Sequence, residues 1–198
     1  MAPRRVGVFG GTFDPPHLGH VGVARAVVGG LELDELVVTV ANEPQGKAEP
    51  PVAGAPDRLA MARAAFEGLD RVTVSDLELA RGGPTYTIDT VEALLAGGRE
   101  GPGGVPEVVL VVGADAAAGL AGWHRAGELA GLAAVAIVPR PGSQVVHPPG
   151  FRVREVAVDP VDLSSTGVRE RLRAGEDPAG LVPVGVVLFL LTHPLYAP

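Results

Sequence analysis

His17 and His20 are two of five histidines in a 198-residue sequence, and they close the segment Gly10-Gly11-Thr12-Phe13-Asp14-Pro15-Pro16-His17-Leu18-Gly19-His20. Residues three apart share one face of a helical turn, so both imidazoles can address one point. The segment follows the apolar run Val6-Gly7-Val8-Phe9, which reads as a buried strand running into a glycine turn. Glycine at a strand end adopts backbone conformations closed to other residues and lets a ligand approach the main chain. A helix starting near Leu18 would aim its free amides and positive dipole end at the same place. The chemistry implied is phosphate binding, with imidazoles donating to charge that builds up there.

The spacing excludes two familiar phosphate cradles. No Lys-Ser/Thr pair follows the glycines, as a P-loop needs, and Phe13, Asp14 and the prolines stand where a dinucleotide fingerprint needs glycine. Two readings without phosphate chemistry remain for the histidines. They could ligate zinc, but such a site needs a third protein ligand and the chain has no cysteine to supply one. They could also merely cap or pack. Asp14, ahead of two prolines, could organise a turn through its side chain.

β-Branched apolar runs alternate with alanine-rich helical segments, the pattern of a parallel sheet covered on both faces. Strands are expected at Arg5 to Phe9, Leu36 to Val40, Arg71 to Ser75, Val108 to Val112, Ala134 to Val138 and Val153 to Val156. Helices are expected at Leu18 to Gly29, Asp57 to Glu67, Ile88 to Ala96, Ala114 to Leu120, Ala126 to Leu132, Thr166 to Ala174 and Pro183 to Thr192. The fold class is therefore α/β, a doubly wound sheet in which ligands sit beyond the carboxyl ends of the strands. The length suits one domain, residues 1–198. Glycine-rich stretches from Gly97 to Pro106 and from Pro139 to Gly150 read as mobile loops rather than linkers.

A net charge of -7 argues against a general nucleic-acid binder, which needs a basic surface. It leaves room for a local basic pocket. The longest apolar stretches, Val184 to Leu191 and Leu132 to Val138, fall far short of the about 20 residues that span a bilayer. The opening Met1-Ala2-Pro3-Arg4-Arg5 has no apolar signal core, and the absence of cysteine fits a reducing compartment. A cytoplasmic protein without a membrane partner is expected, with a homo-oligomer left open.

Three further segments carry candidate chemistry. Leu163-Ser164-Ser165-Thr166-Gly167-Val168-Arg169 opens an amphipathic helix with hydroxyls and a guanidinium, suited to triphosphate oxygens or to plain N-capping. Val109-Leu110-Val111-Val112-Gly113-Ala114-Asp115 places an acid at a helix start beyond a strand, where it could meet a nucleotide ribose or adenine edge, or only cap. Trp123, the one tryptophan, could stack on a flat heterocycle or simply fill core. Gly83-Pro84-Thr85-Tyr86-Thr87-Ile88-Asp89-Thr90 offers main-chain NH groups at a turn, or again a cap.

The first segment resembles the HxGH signature of a nucleotidyltransferase superfamily, in the form found in bacterial nicotinate-mononucleotide adenylyltransferases. Leu163 to Arg169 matches the superfamily's SST-x-x-R segment, Gly113-Ala114-Asp115 with Trp123 resembles the family's GAD...W segment, and Thr85 to Thr90 its (S/T)YT-x-x-T turn. The likeness runs from Val8 to Tyr196 and includes Val182-Pro183 and His193-Pro194-Leu195-Tyr196. It departs at Glu43-Pro44-Gln45-Gly46-Lys47, where relatives often carry Pro-Pro-His-Lys/Arg, and at His124, where they often carry tyrosine.

The resemblance implies a Rossmann-like fold whose C-terminal helical part, about 163–198, carries the second motif. It implies transfer of the ATP adenylyl group to nicotinate mononucleotide, giving deamido-NAD and pyrophosphate by direct attack. His20 with Arg169 would serve the α-phosphate and departing pyrophosphate, and His17 the ATP phosphates. Gly10, Gly11, Thr12 and Phe13 would approach ATP, Gly113 and Asp115 its nucleoside, and Ser165 and Thr166 its phosphates. Thr87 would take the nicotinate carboxylate through its amide, with Trp123, His124, Lys47 and Arg140 as further substrate contacts. Mg²⁺ would accompany ATP on phosphate and water, with no metal held by protein. A sister enzyme acting on the amide mononucleotide or on phosphopantetheine, and a non-catalytic nucleotide sensor, are the alternatives.

Overall fold

The computed structural model describes residues 3–45, 49–98, 105–139, 145–159 and 163–196. Six parallel strands form the central sheet: β1 (Arg5–Gly11), β2 (Glu35–Val40), β4 (Val72–Ser75), β6 (Glu107–Gly113), β7 (Ala133–Val138) and β8 (Val153–Glu155), in the order β4-β2-β1-β6-β7-β8. A separate two-stranded pair joins β3 (Glu43–Pro44) to β5 (Pro84–Thr85).

Both faces of the sheet are buried, which is why its strands read as unbroken apolar runs. In β6, Val109 and Val111 face one core while Val108, Leu110 and Val112 face the other. The first core is covered by α1 (Leu18–Gly30), α2 (Ala55–Phe66), α7 (Ser165–Arg173) and α8 (Val184–Thr192). The second lies under α4 (Thr87–Gly98), α5 (Ala114–Ala118) and α6 (Ala126–Leu132). A five-residue helix, α3 (Leu77–Arg81), follows β4. Helix α8 lies so close to α2 that a Cβ on Gly185 would stand 2.6 Å from the Ala64 carbonyl oxygen. Glycine there permits the contact.

The strand order reverses between β1 and β6, so the chain diverges to either side beyond their carboxyl ends and leaves a crevice. The doubly wound α/β expectation stands in a single domain. Several boundaries differ from it. β1 runs on through Gly10 and Gly11, which still pair with Thr39 and Val40, so the turn begins only at Thr12. The helix expected to reach Leu120 ends at Ala118 and passes into a 3₁₀ turn at Leu120–Gly122, where glycines flank the break. Helices α2, α4 and α7 each start earlier than expected, because Pro56 fits a first helical turn and Thr87 and Ser165 already lie inside theirs. α3 and the β3–β5 pair have no counterpart in the sequence reading, being too short to show a period.

Candidate active site

His17 is the N-cap of α1, and its backbone NH donates to His20 Nδ1 at 3.1 Å. A backbone NH can only donate, so this bond fixes the tautomer. Neutral His20 carries its single proton on Nε2. The two rings lie 3.7 Å apart, and the edge of Phe13 packs on His20 at 5.0 Å between centroids. Phe13 reaches that position from a left-handed backbone, φ 52°, with its ring so close to Gly11 that a Cβ there would meet it at 2.8 Å. Gly11 thus makes room for the ring that buttresses His20.

Asp14 is buried and its carboxylate gathers three distant segments. Oδ2 accepts from the Val52 amide at 2.8 Å and Oδ1 from the Ala53 amide at 3.0 Å and the Tyr196 hydroxyl at 2.7 Å. Arg169 Nη1 stands 3.7 Å from Oδ2 and donates to the Asp14 carbonyl at 2.8 Å. Burial first, and then the bond to Asp14, push the Tyr196 phenol well above its usual range. Arg58, 1% exposed, grips the same loop from below, donating to the carbonyls of Thr12, Ala41, Asn42 and Ala53. Burial lowers its pKa, opposed by Asp14 and Tyr196.

The second motif closes on the first. Ser164 caps α7 by accepting from the Gly167 amide at 3.1 Å, and Ser165 Oγ donates to the Pro15 carbonyl at 3.0 Å. Arg169 sits one turn further in than the helix start, its Nη2 donating to Thr166 Oγ1 at 3.2 Å. Its Nε is buried without a hydrogen-bond partner among the described residues. The Ser165 hydroxyl proton is spent on the loop, so that side chain offers only its lone pairs elsewhere.

Across the crevice, Thr87 opens α4 and the Thr85–Thr87 turn is pinned to the end of β2. The Asn42 amide donates to Thr85 Oγ1 and its Nδ2 to the Gly83 carbonyl, each at 3.0 Å. Tyr86 and His124 pack at 4.3 Å between centroids with their planes tilted by 33°, and Trp123 is half-buried next in the chain to His124. Arg125 follows with a left-handed φ of 53° and forks to Glu92 at 2.7 and 3.1 Å, holding α6 against α4.

One cavity of about 1330 Å³ joins the two sides. It is lined by Gly10 to Phe13, His17, His20, Gly113, Trp123, His124, Thr87, Ser165, Thr166 and Arg169. Asp115 is exposed and does not line it, although its neighbour Ala116 does. Lys47 and Arg140 lie outside the described residues. No group of three or more His, Asp or Glu side chains among the described residues could hold a metal ion. No helix among them is long and apolar enough to cross a membrane.

The Cytidylyltransferase-like family model matches residues 8–171. A Bordetella avium protein named "Probable nicotinate-nucleotide adenylyltransferase" is 35% identical, over 98% of this chain and 99% of its own. A protein of the same name from Acidothermus cellulolyticus is 38% identical, over 97% and 94%. The chain belongs to the nicotinate-nucleotide adenylyltransferase family. As a member of this family it is a nucleotidyltransferase. Its fold is similar to that of the Plasmodium falciparum nicotinic acid mononucleotide adenylyltransferase complexed with NaAD, with a TM-score of 0.77 at 16% identity over 98% and 97% of the two chains. The same protein complexed with APC gives 0.77 at 15% identity over the same shares.

Within this family fold, four residues near the site went unassigned in the sequence reading. Arg58 sits in a helix whose composition marks no site, and only its burial exposes its role. Tyr86 lies inside a motif whose sequence signal is its threonines. Glu78 and Thr39 line the cavity from a short helix and a strand end, where each reads as ordinary local sequence.

Proposed function

We propose that this chain transfers the adenylyl group of ATP to nicotinate mononucleotide, giving deamido-NAD and pyrophosphate. The observation that carries the reading is the convergence of His17, His20 and Arg169 on one side of a cavity whose other side offers a helix start at Thr87 and an aromatic wall. The mononucleotide phosphate attacks the ATP α-phosphorus in line, and pyrophosphate leaves. No protein nucleophile is needed, so the work is positioning two anions and stabilising charge on the transferring group.

In this mechanism neutral His20 donates from Nε2 to the α-phosphate, and Arg169, held by Asp14 and Thr166, matches the departing pyrophosphate. His17 serves the ATP phosphates, and Gly10 to Phe13 bring main chain close to the nucleotide. Ser165 and Thr166 meet phosphate through their main-chain amides at the start of α7, Thr166 also through its hydroxyl, with Gly113 on the nucleoside side. The Thr87 amide takes the nicotinate carboxylate, with Trp123 and His124 against the ring and Lys47 and Arg140 as further contacts. Mg²⁺ would accompany ATP, held by the phosphates and water, and would supply charge neutralisation there. The whole chain acts as one nucleotidyltransferase unit whose C-terminal helical part, about 163–198, carries the second motif. A cytoplasmic setting suits a cysteine-free chain that consumes ATP.

An acceptor panel tests the reading. Pyrophosphate release from MgATP should be fast with nicotinate mononucleotide, at least about tenfold less efficient with its amide, as expected where a site built for one hydrogen-bond pattern meets another, and undetectable with phosphopantetheine. A sensor would bind ATP without releasing pyrophosphate. Faster release with the amide or with phosphopantetheine would overturn the acceptor assignment.

A further inference from the structure

Thr90 is fully buried one turn into α4, and it belongs to no part of the phosphate chemistry. Its hydroxyl donates to Glu78 Oε1 at 2.8 Å and accepts from Arg81 Nη2 at 3.3 Å. A directional chain therefore runs from the guanidinium through Thr90 to a carboxyl that is 4% exposed. Thr39, buried at the end of β2, stands beside the same carboxyl. Glu78, Thr90 and Thr39 all line the main cavity. Burial pushes the Glu78 carboxyl up, while Thr90, Thr39 and Arg81 oppose it. A buried carboxyl on a cavity wall is costly unless its surroundings satisfy it.

The cluster ties α3 to the first turn of α4, with Thr39 at the end of β2 against it. From the opposite side, Asn42 holds Thr85 and Gly83. The segment from Gly83 to Thr90 is gripped at both ends, and Thr87 lies between the grips. A backbone amide discriminates carboxylate from carboxamide only while its direction is fixed, since the charge-assisted bond to the anion loses more when geometry slackens.

We propose that the Arg81–Thr90–Glu78 chain is a positioning device that holds the start of α4 so that the Thr87 amide faces the anionic ring substituent of the acceptor, which makes Thr90 and Glu78 determinants of the choice of acid over amide. The inference rests on the acceptor reading above. Thr90 and Glu78 touch no reacting atom and act through Thr87.

Thr90→Val keeps the shape and removes the hydroxyl, and Thr90→Ser restores the hydroxyl. With the full chain, KM for ATP and for both mononucleotides and the acid-to-amide ratio of kcat/KM are measured for each. For Thr90→Val the KM for nicotinate mononucleotide rises about tenfold and the ratio falls by a similar factor, the scale of one displaced charge-assisted bond. KM for ATP stays within about twofold, because the ATP groups lie on β1, the turn into α1, the end of β6 and α7, and none on α4. Thr90→Ser returns both quantities toward the original. Should Thr90→Val fail to fold, Arg81→Met removes the exposed end of the chain, and a fall in the ratio is again expected. A variant that loses melting temperature but keeps the wild-type ratio, or raises KM for ATP equally, overturns the inference. If the wild-type protein itself shows no preference for the acid, the acceptor reading falls with it. A preference present in both wild type and Thr90→Val removes this inference alone.

Discussion

His20→Ala lowers turnover by at least about a hundredfold, the scale of removing one preorganised donor to developing charge. The expectation follows from the bond between the His17 amide and His20 Nδ1, which leaves the only proton of a neutral ring on Nε2 in the cavity. That donor costs little reorganisation, because Phe13 packs on the ring and the His17 ring 3.7 Å away restricts it. Loss of a group that acts in the transition state falls on kcat, so KM for ATP should change far less. The fold should survive, since His20 is only half-buried and α1 keeps its buried stripe of Val21, Ala24, Val27 and Val28. Circular dichroism and melting temperature establish folding, and pyrophosphate release gives turnover. Near-wild-type turnover in a folded variant removes His20 from the chemistry.

Asp14→Ala carries the largest expected stability loss, about 3–5 kcal/mol, the cost of deleting one member of a buried charge network. Removal of the carboxylate strands the Val52 and Ala53 amides and the Tyr196 hydroxyl, and it takes the counter-charge from buried Arg58 and from Arg169. Each buried polar group left without a partner costs about 1–3 kcal/mol, and relaxation recovers part of the sum. Urea unfolding followed by fluorescence of Trp123 reads the change. A loss below about 1 kcal/mol would mean that the loop keeps its place without the carboxylate. The same variant should lose activity, because Arg169 is aimed partly by the Asp14 main chain.

The two motifs and the sheet were legible because each has a local signature. Parallel strands buried on both faces read as apolar runs, and the crevice between β1 and β6 follows from their order. The histidine spacing and the SST-x-x-R segment point to phosphate by residue type alone, and the structure brings both to one cavity. What stayed hidden depends on long-range contact. Arg58 reads as one cation of an alanine-rich helix, yet it donates to four carbonyls from the loop and strand ends. Tyr196 meets Asp14 across 182 residues, which no periodicity can announce. Asp14 could be read only as a local turn former, whereas its partners lie far along the chain.

The glycine pair shows a subtler limit. Gly10 and Gly11 read as a turn, but sheet pairing outweighs their freedom and carries them inside β1. Gly11 is needed for the ring of Phe13 instead. Asp115 reads as a ligand-facing acid or a cap, and it stands exposed at the start of a five-residue helix, off the cavity lining.

Direct adenylyl transfer to nicotinate mononucleotide is tested most directly with one diastereomer of ATP bearing sulfur on its α-phosphorus. The product dinucleotide is isolated and the configuration at that phosphorus determined. A single in-line displacement predicts deamido-NAD carrying the thiophosphate with inverted configuration. Retention of configuration would require a covalent enzyme intermediate, and absence of the dinucleotide would contradict the transfer itself.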